Sequence, residues 1–156
     1  LIKACREVAV DSKCSLISVD TWTKSIDVNE EEEYWHTLAD HNNVDLGFYE
    51  IFMNNIKYQK LTDVIAPLRI PSAQGARVLF CFGVRADFIY IGAGHDYDST
   101  YHDVGLFQNI LSDGGVMFGG DYNRPDLIEA VDDYAAEVGV PLIVANDRRT
   151  WILHFP

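Results

Sequence analysis

The sequence predicts an α/β fold with a mostly parallel sheet and an antiparallel pair of strands at its C-terminal end. Short β-prone apolar runs alternate along the chain with amphipathic stretches of helical period. Two of these runs, residues 86–91 and 116–118, end in glycines followed by polar residues, as buried parallel strands do where they supply side chains to a cleft. The last two runs, residues 141–144 and 150–155, are joined by a short charged connection that is typical of a hairpin.

The first half of the chain contains two predicted strands and one long predicted helix. Residues 15–19 are a compact β-prone run, and residues 62–70 are a second strand candidate. Within the second candidate, Pro67 predicts a bend or an edge position, because proline cannot donate a backbone hydrogen bond. Residues 34–53 are predicted to be helical, with Gly47 as a candidate break.

Three helices are predicted in the second half. Ser72 is a plausible N-cap for a helix that runs to Phe82. A second helix is predicted over residues 98–111, where apolar side chains recur at helical spacing. The third begins near Pro125, which suits the first turn of a helix, and is closed by Gly139.

Composition indicates one folded domain over residues 1–156, since 48% of the residues are hydrophobic. The net charge of −12 repels phosphate and anionic lipid, so we expect binding neither to nucleic acid nor to a membrane surface. No apolar run approaches the roughly 20 residues that a membrane helix needs. The three cysteines, Cys5, Cys14 and Cys81, form no C-x-x-C or zinc spacing, which predicts reduced thiols in an intracellular reducing compartment.

Two segments, residues 86–97 and 114–122, carry a resemblance to a known family. They are similar to the fourth and fifth strands of class I S-adenosylmethionine-dependent methyltransferases, and most similar to the small-molecule O-methyltransferase branch, with its I-D-x-x-H-x-Y and G-G-(V/I)-(L/I)-x-G-D-D-Y segments. Residues 20–22 resemble that family's V-D-T-W segment, and residues 118–136 and 151–154 resemble its last helix and terminal strand. The resemblance implies a Rossmann-like methyltransferase sheet.

The resemblance also implies a cofactor, S-adenosylmethionine, and residues that bind it. Asp20 would accept hydrogen bonds from the ribose hydroxyls, a task that suits a carboxylate because it can accept from two donors at once. Ser72 would lie near the adenine, and Gly92 would follow the fourth strand at the cofactor crevice. The residues themselves leave alternatives open: Asp20 as a turn or cap aspartate, and Ser72 as an ordinary helix cap.

The chain matches the family's catalytic residues less fully than its cofactor-binding residues. In metal-dependent members of the family, a divalent cation is bound by acidic residues at the positions of Gly92 and Gly120. Only Asp121 keeps a matching carboxylate, so we expect no catalytic metal. His95 or Asp121 would then take the proton of the substrate hydroxyl, since an unperturbed imidazole titrates near neutral pH. The alternative for His95 is a histidine at a strand end, hydrogen-bonded to the backbone or to Asp96.

The family's glycine-rich cofactor loop, (D/E)-x-G-x-x-x-G, has no counterpart before residue 15, and the first residue is Leu1. Residues 1–10 resemble the helix that follows that loop, so we expect an N-terminally incomplete domain whose first strand is missing. That strand would lie in the middle of the sheet, where unpaired backbone groups cost about 1–3 kcal/mol each. A segment upstream or another chain would supply it, or its two neighbours would pair directly.

Two functions remain open. The first is a metal-independent S-adenosylmethionine-dependent O-methyltransferase that acts on a small hydroxylated molecule. The second is a catalytically inactive methyltransferase-like domain, a structural subunit of a larger protein assembly or oligomer. The two absent carboxylates and the absent loop favour the second. A nucleotide-binding domain of another kind is disfavoured, because the chain has no phosphate loop.

Overall fold

The computed structural model describes residues 14–23, 47–92, 94 and 96–156. The chain divides into two compact units, one that ends at Pro71 and one that comprises Ser72–Pro156. The prediction of a single domain over residues 1–156 stays a prediction, and each unit is described by itself.

The first unit contains a parallel pair of strands and one helix: β1 (Leu16–Asp20), α1 (Phe48–Tyr58) and β2 (Ile65–Arg69). Both predicted strands are confirmed, and Pro67 lies in β2 opposite Ser18 of β1. Part of the predicted helix 34–53 lies outside the described residues. Its described part starts after Gly47, as predicted, and continues to Tyr58 instead of ending at residue 53.

The second unit contains seven described elements in chain order: α2 (Ser72–Cys81), β3 (Ala86–Ile91), α3 (Tyr97–Gln108), β4 (Leu111–Gly119), α4 (Pro125–Val138), β5 (Leu142–Val144) and β6 (Trp151–His154). The strands form a sheet of order β3-β4-β6-β5. β3 and β4 run parallel, whereas β6 is antiparallel to both β4 and β5. The α/β class is confirmed, and the sheet is partly parallel and partly antiparallel.

One face of this sheet forms the core of the second unit. Along β3 and β4 the inward positions are apolar and buried, and β6 adds Trp151 and Leu153, both fully buried. α3 lies against β3 and β4, and α4 packs against α3. Alternate side chains of a strand point to opposite faces. Phe88 and Tyr90, on the other face of β3, are therefore 65% and 59% exposed.

The helix predicted over residues 98–111 ends earlier, at Gln108. Its last carbonyl groups are satisfied by Asn109, whose side-chain amide donates to the carbonyl oxygens of Gly105 (2.9 Å) and Leu106 (3.2 Å). A helix that ends with its carbonyls satisfied has no need of a further turn. The sequence pattern extended the helix too far because the buried Leu111 continues the helical spacing by coincidence.

The strand predicted over residues 116–118 is correspondingly longer, and begins at Leu111. Gly114 within it has a φ of 72°. The pairing with β3 shifts between Ala86 and Phe88. A residue that tolerates left-handed backbone suits such an irregularity, which explains the glycine at position 114 inside the strand.

The last helix and the hairpin match the prediction. α4 begins at Pro125 and is followed by Gly139 in the left-handed conformation. In the turn between β5 and β6, Asp147 Oδ1 accepts from the backbone N–H groups of Arg149 (2.9 Å) and Thr150 (3.0 Å). These bonds hold the pKa of Asp147 below its ordinary value.

Tyrosine hydroxyls join α3 to α4, an arrangement we call the tyrosine seam (Tyr97, Tyr101, Asp133 and Glu137). The rings of Tyr97 and Tyr101 are stacked, with centroids 5.7 Å apart. Tyr97 donates to Asp133 Oδ2 at 3.0 Å, and Tyr101 donates to Glu137. Because these carboxylates favour the protonated phenol, they raise the pKa of Tyr97 and raise that of Tyr101 to about 12.

The expectation of three reduced thiols is wrong for Cys14, which is disulfide-bonded. Cys81 is a free and exposed thiol. A disulfide requires two Cβ atoms that come close in the fold, and the sequence spacing does not reveal that closeness. Cysteine usage therefore no longer argues for a reducing compartment. Across the described ranges, no helix combines the length and the hydrophobicity needed to span a bilayer.

Two adjacent glycines at the end of β4 should respond differently to alanine. A Cβ on Gly119 would lie 2.5 Å from Trp151 Cζ2 and 2.6 Å from the carbonyl oxygen of Ile91, whereas one on Gly120 would meet only Tyr90 Oη, at 3.4 Å. We expect Gly119→Ala to lower the free energy of unfolding by about 1–3 kcal/mol, because neither the buried indole nor the paired backbone can move away. Gly120→Ala, the matched control, should be nearly neutral in urea unfolding. Equal midpoints for the two variants would contradict this packing.

Candidate functional site

The candidate site lies at the carboxyl ends of β3 and β4. In the parallel register Tyr90 is opposite Phe118 and Ile91 is opposite Gly119. The rings of Tyr90 and Phe118 meet edge to face, with centroids 5.4 Å apart. The two runs predicted as parallel strands are therefore parallel, and they lie side by side. Gly92, the residue after Ile91, therefore leaves the sheet at the same edge as the loop that follows β4.

Tyr90 occupies the space beside two glycines at this edge. A Cβ on Gly92 would lie 2.5 Å from Tyr90 Cε1, too close for any side chain unless the ring moves. A Cβ on Gly120 would lie 3.4 Å from Tyr90 Oη, an ordinary contact. The phenol of Tyr90 thus stands where the resemblance would place the two acidic metal ligands.

These residues do not fit a divalent cation. Mg²⁺ is held by charged oxygens in octahedral geometry, and Gly92 and Gly120 contribute no side-chain oxygen. Within the part of the chain that the structure describes, no group of three or more His, Cys, Asp or Glu residues is arranged to hold a metal ion.

The loop after β4 presents Asp121 on a fixed backbone. Asp121 is exposed and has a φ of 58°, and its carbonyl oxygen accepts from Arg124 N at 3.0 Å. The next residue, Tyr122, donates from its backbone to the carbonyl oxygen of Arg149 (2.9 Å) and from its hydroxyl to Asp132 Oδ1 (2.6 Å). Burial and the bond to Asp132 raise the pKa of Tyr122 to about 12. The loop is therefore tied both to the hairpin and to α4.

The turn after β3 is tied to the first turn of α3. Asp96 is the N-cap of α3, and its Oδ1 accepts from Ser99 N at 2.9 Å. Hydrogen bonds from Ser99 lower the pKa of Asp96. Thr100, which is buried, donates its hydroxyl to the carbonyl oxygen of Gly94 at 3.2 Å. His95 lies outside the described residues, so its role stays a prediction.

In the first unit, Asp20 is the last residue of β1, and its side chain shapes the turn that follows. Its Oδ1 accepts from Trp22 N at 2.7 Å. The indole of Trp22 contacts Tyr49 and Phe52 of α1, with ring centroids 5.1 and 4.8 Å away. The guanidinium of Arg69, the residue opposite Asp20 in the register, lies over the Tyr49 ring. Asp20 thus serves as a turn aspartate, and one hydrogen bond does not exhaust the four acceptor sites of a carboxylate.

Ser72 is the first residue of α2, and its hydroxyl is engaged by a residue that the sequence analysis missed. Ser72 Oγ donates to Asp103 Oδ1 at 2.8 Å. Asp103 lies on α3 and is only 6% exposed. Burial raises the pKa of Asp103, while the hydrogen bond from Ser72 lowers it. A signal was present: Asp103 shares helical spacing with the buried residues Thr100 and Phe107, which indicates an inward carboxylate.

The structure places the predicted site residues in three locations. Gly92 and Asp121 follow the paired ends of β3 and β4 in the second unit. Ser72, in the same unit, is bound to Asp103. Asp20 belongs to the first unit.

The family is decided by a match to the sequence profile of a family described as a methyltransferase domain, which covers residues 1–122. The chain belongs to the class I S-adenosylmethionine-dependent methyltransferases. The match includes both strands of the candidate edge and the start of the loop after β4, so the methyltransferase architecture predicted from the sequence is confirmed.

Solved structures of O-methyltransferases share the fold of this methyltransferase domain. The O-methyltransferase NovP has 16% identity and a TM-score of 0.55 over 99% of this chain and 65% of its own. A protein described as a putative caffeoyl-CoA O-methyltransferase from Staphylococcus aureus has 10% identity and a TM-score of 0.60, over 99% and 81% of the two chains. An O-methyltransferase from Bacillus cereus in complex with SAH has 10% identity and a TM-score of 0.54, over 90% and 73%.

The chain thus spans about two thirds of the length of NovP. No curated protein matches its sequence significantly.

The N-cap of α3 should make part of the stability of the methyltransferase domain dependent on pH. Asp96→Ala should cost about 1 kcal/mol at neutral pH, because Ser99 N loses its acceptor. Asp96→Asn keeps an acceptor oxygen but not the charge. The folded pKa of Asp96 lies below its ordinary value of 3.8, so its carboxylate stabilises the fold above about pH 4 and loses that effect as the pH falls further.

Urea unfolding between pH 3 and pH 7 checks this. The wild type should have a higher free energy of unfolding than Asp96→Asn at neutral pH. This difference should shrink as the pH falls and Asp96 becomes protonated. A gap that stays constant with pH would show that the charge of Asp96 has no part in the cap.

Proposed function

We propose that the chain carries a metal-independent O-methyltransferase activity that uses S-adenosylmethionine and acts on a small hydroxylated molecule. The observation that carries the proposal is the parallel pairing of β3 with β4. It delivers Gly92 and the loop containing Asp121 to one sheet edge, and in open α/β sheets ligands bind outside the carboxyl ends of the strands. O-methyltransferases among the structural neighbours support the reaction class.

The cofactor would be held by groups that its chemistry requires. Asp20 would accept from the ribose hydroxyls with the acceptor sites that Trp22 leaves open. Ser72, half-buried at the start of α2, would lie against the adenine. Gly92, which is exposed at the end of β3, would line the cofactor crevice. When bound, S-adenosylmethionine supplies a methyl group on a positively charged sulfur.

The acceptor hydroxyl must lose its proton as its oxygen forms the new bond to carbon. Asp121 or His95 would take that proton, as the resemblance implies. The exposure of Asp121, on a loop that is hydrogen-bonded to the hairpin through Tyr122 N, supports this role. The reaction would rely on alignment and proton removal, because Gly92 and Gly120 offer no ligand to a cation.

Calorimetric titration of the full-length protein with S-adenosylhomocysteine tests the proposal. We expect binding by the wild type and a roughly 10- to 100-fold weaker Kd for Asp20→Ala, because the ribose loses charge-assisted hydrogen bonds. Asp113→Ala, which removes an exposed carboxylate from β4, is the matched control and should bind as the wild type does.

Loss of binding in both variants would point to a general loss of structure, which thermal unfolding would reveal. A wild-type protein that binds no S-adenosylhomocysteine would end the proposal. Equal affinity for Asp20→Ala and the wild type would remove Asp20 from the cofactor site.

A second candidate function is a catalytically inactive structural subunit of a larger assembly or oligomer. The strand register places Phe88, Tyr90, Phe118 and Ile143 on one face of the sheet, and three of these four are more than half exposed. Exposed apolar patches mark interaction surfaces. Absence of cofactor binding together with a self-associated or partner-bound state in sedimentation would support this function over the enzyme. The acidic composition favours protein partners over nucleic acid.

A further inference from the structure

We propose that Asp103 is a positioning residue that fixes Ser72 Oγ as a hydrogen-bond acceptor and thereby selects the 6-amino group of adenine over a 6-oxo purine. This inference rests on the proposed function, because it takes Ser72 to lie against the cofactor's adenine. It adds a residue, Asp103, and a reason for base selectivity to that site.

The hydroxyl of Ser72 carries a single proton. Ser72 Oγ lies 2.8 Å from Asp103 Oδ1 and donates to it. A hydroxyl has one proton to donate, and in this bond Oδ1 of Asp103 accepts it. The proton of Ser72 is thus committed to Asp103, and the two lone pairs of Oγ are what the hydroxyl can offer to a ligand.

The environment of Asp103 makes this commitment firm. Asp103 is only 6% exposed, and the next residue along the helix, Val104, is fully buried. A buried polar group that loses its hydrogen-bond partner pays a desolvation cost that the bond otherwise offsets. If Ser72 turned its proton towards a ligand, Asp103 would lose the partner that the hydrogen bond now provides. The hydroxyl is therefore a poor donor to anything other than Asp103.

A hydroxyl held in this way distinguishes donors from acceptors. The 6-amino group of adenine is a donor and can complete the hydrogen bonding of Ser72 Oγ. The 6-oxo group of hypoxanthine is an acceptor, so it would face a lone pair and stay unsatisfied. Sites built to pair with one polar group discriminate strongly against an analogue that cannot pair. Ser72 itself is half-buried, so its outer side is open to a ligand.

The test compares two ligands, S-adenosylhomocysteine and its 6-oxo analogue S-inosylhomocysteine, by calorimetry on the full-length protein. The quantity of interest is the ratio of the two Kd values in each variant. The two purines also differ at N1, and comparison of variants isolates the part of the ratio that depends on Ser72. We expect the wild type to prefer S-adenosylhomocysteine by roughly 10- to 100-fold.

Asp103→Leu, which is close in size, frees the Ser72 proton and should bring the ratio down by about 10-fold or more. Asp103→Asn should lower it less, because an amide can present a donor or an acceptor to Ser72. Ser72→Ala should also lower the ratio, and Asp103→Leu in the Ser72→Ala background should change it no further. Asp98→Asn, an exposed site on the same helix, is the control that should keep the wild-type ratio.

A purely structural role for Asp103 would lower thermal stability and weaken both ligands equally, leaving the ratio unchanged. That result in folded Asp103→Leu would overturn the inference, and if Asp103→Leu fails to fold, an unchanged ratio in Ser72→Ala would overturn it. A wild type that binds S-adenosylhomocysteine without preference would overturn the inference and leave the proposed function standing. A wild type that binds neither ligand would overturn both.

Discussion

The close approach of β4 to its two neighbours is the constraint on which the second unit depends. Gly119 lies between the backbone of Ile91 in β3 and the indole of Trp151 in β6, with no room for a single added carbon. This contact occurs where the parallel pair passes into the antiparallel pair. A residue with any side chain would separate the strands at that point. Because the candidate site follows directly from the ends of β3 and β4, its geometry depends on the same contact.

The candidate edge differs in chemistry from what the resemblance leads one to expect. Two positions that carry acidic side chains in metal-dependent relatives are glycines, and the ring of Tyr90 lies against both. At this edge the rings of Tyr90 and Phe118 meet edge to face, and the loop after β4 adds the acidic residue Asp121.

Much of the fold could be predicted because local signals and tertiary structure agree. Pro125 and Gly139 fix the ends of α4 by backbone restrictions that hold in any context. The parallel pairing of β3 and β4 followed from apolar runs that end in glycine. The helix predicted to run to Leu111 failed because burial in a strand and burial in a helix give the same local pattern.

The site was harder to predict than the fold. The bond between Ser72 and Asp103 joins residues 31 positions apart, a contact that no local pattern encodes. The space that Tyr90 takes beside Gly92 depends on a side-chain rotamer, which sequence alone does not specify. The sequence left Asp20 open between a cofactor-binding residue and a turn aspartate, and the hydrogen bond from Trp22 N shows that it shapes a turn.

The tyrosine seam has a consequence for how the protein responds to salt. With 24 acidic and 12 basic residues, the chain has few cations with which to neutralise carboxylates on adjoining helices. Neutral phenols perform that task for Asp133 and Glu137. Ion pairs between exposed side chains weaken as salt screens them, whereas a hydrogen bond from an uncharged donor acts at contact distance and is screened far less. The contribution of these hydrogen bonds to the packing of α3 against α4 should therefore be nearly the same at high and low salt concentration.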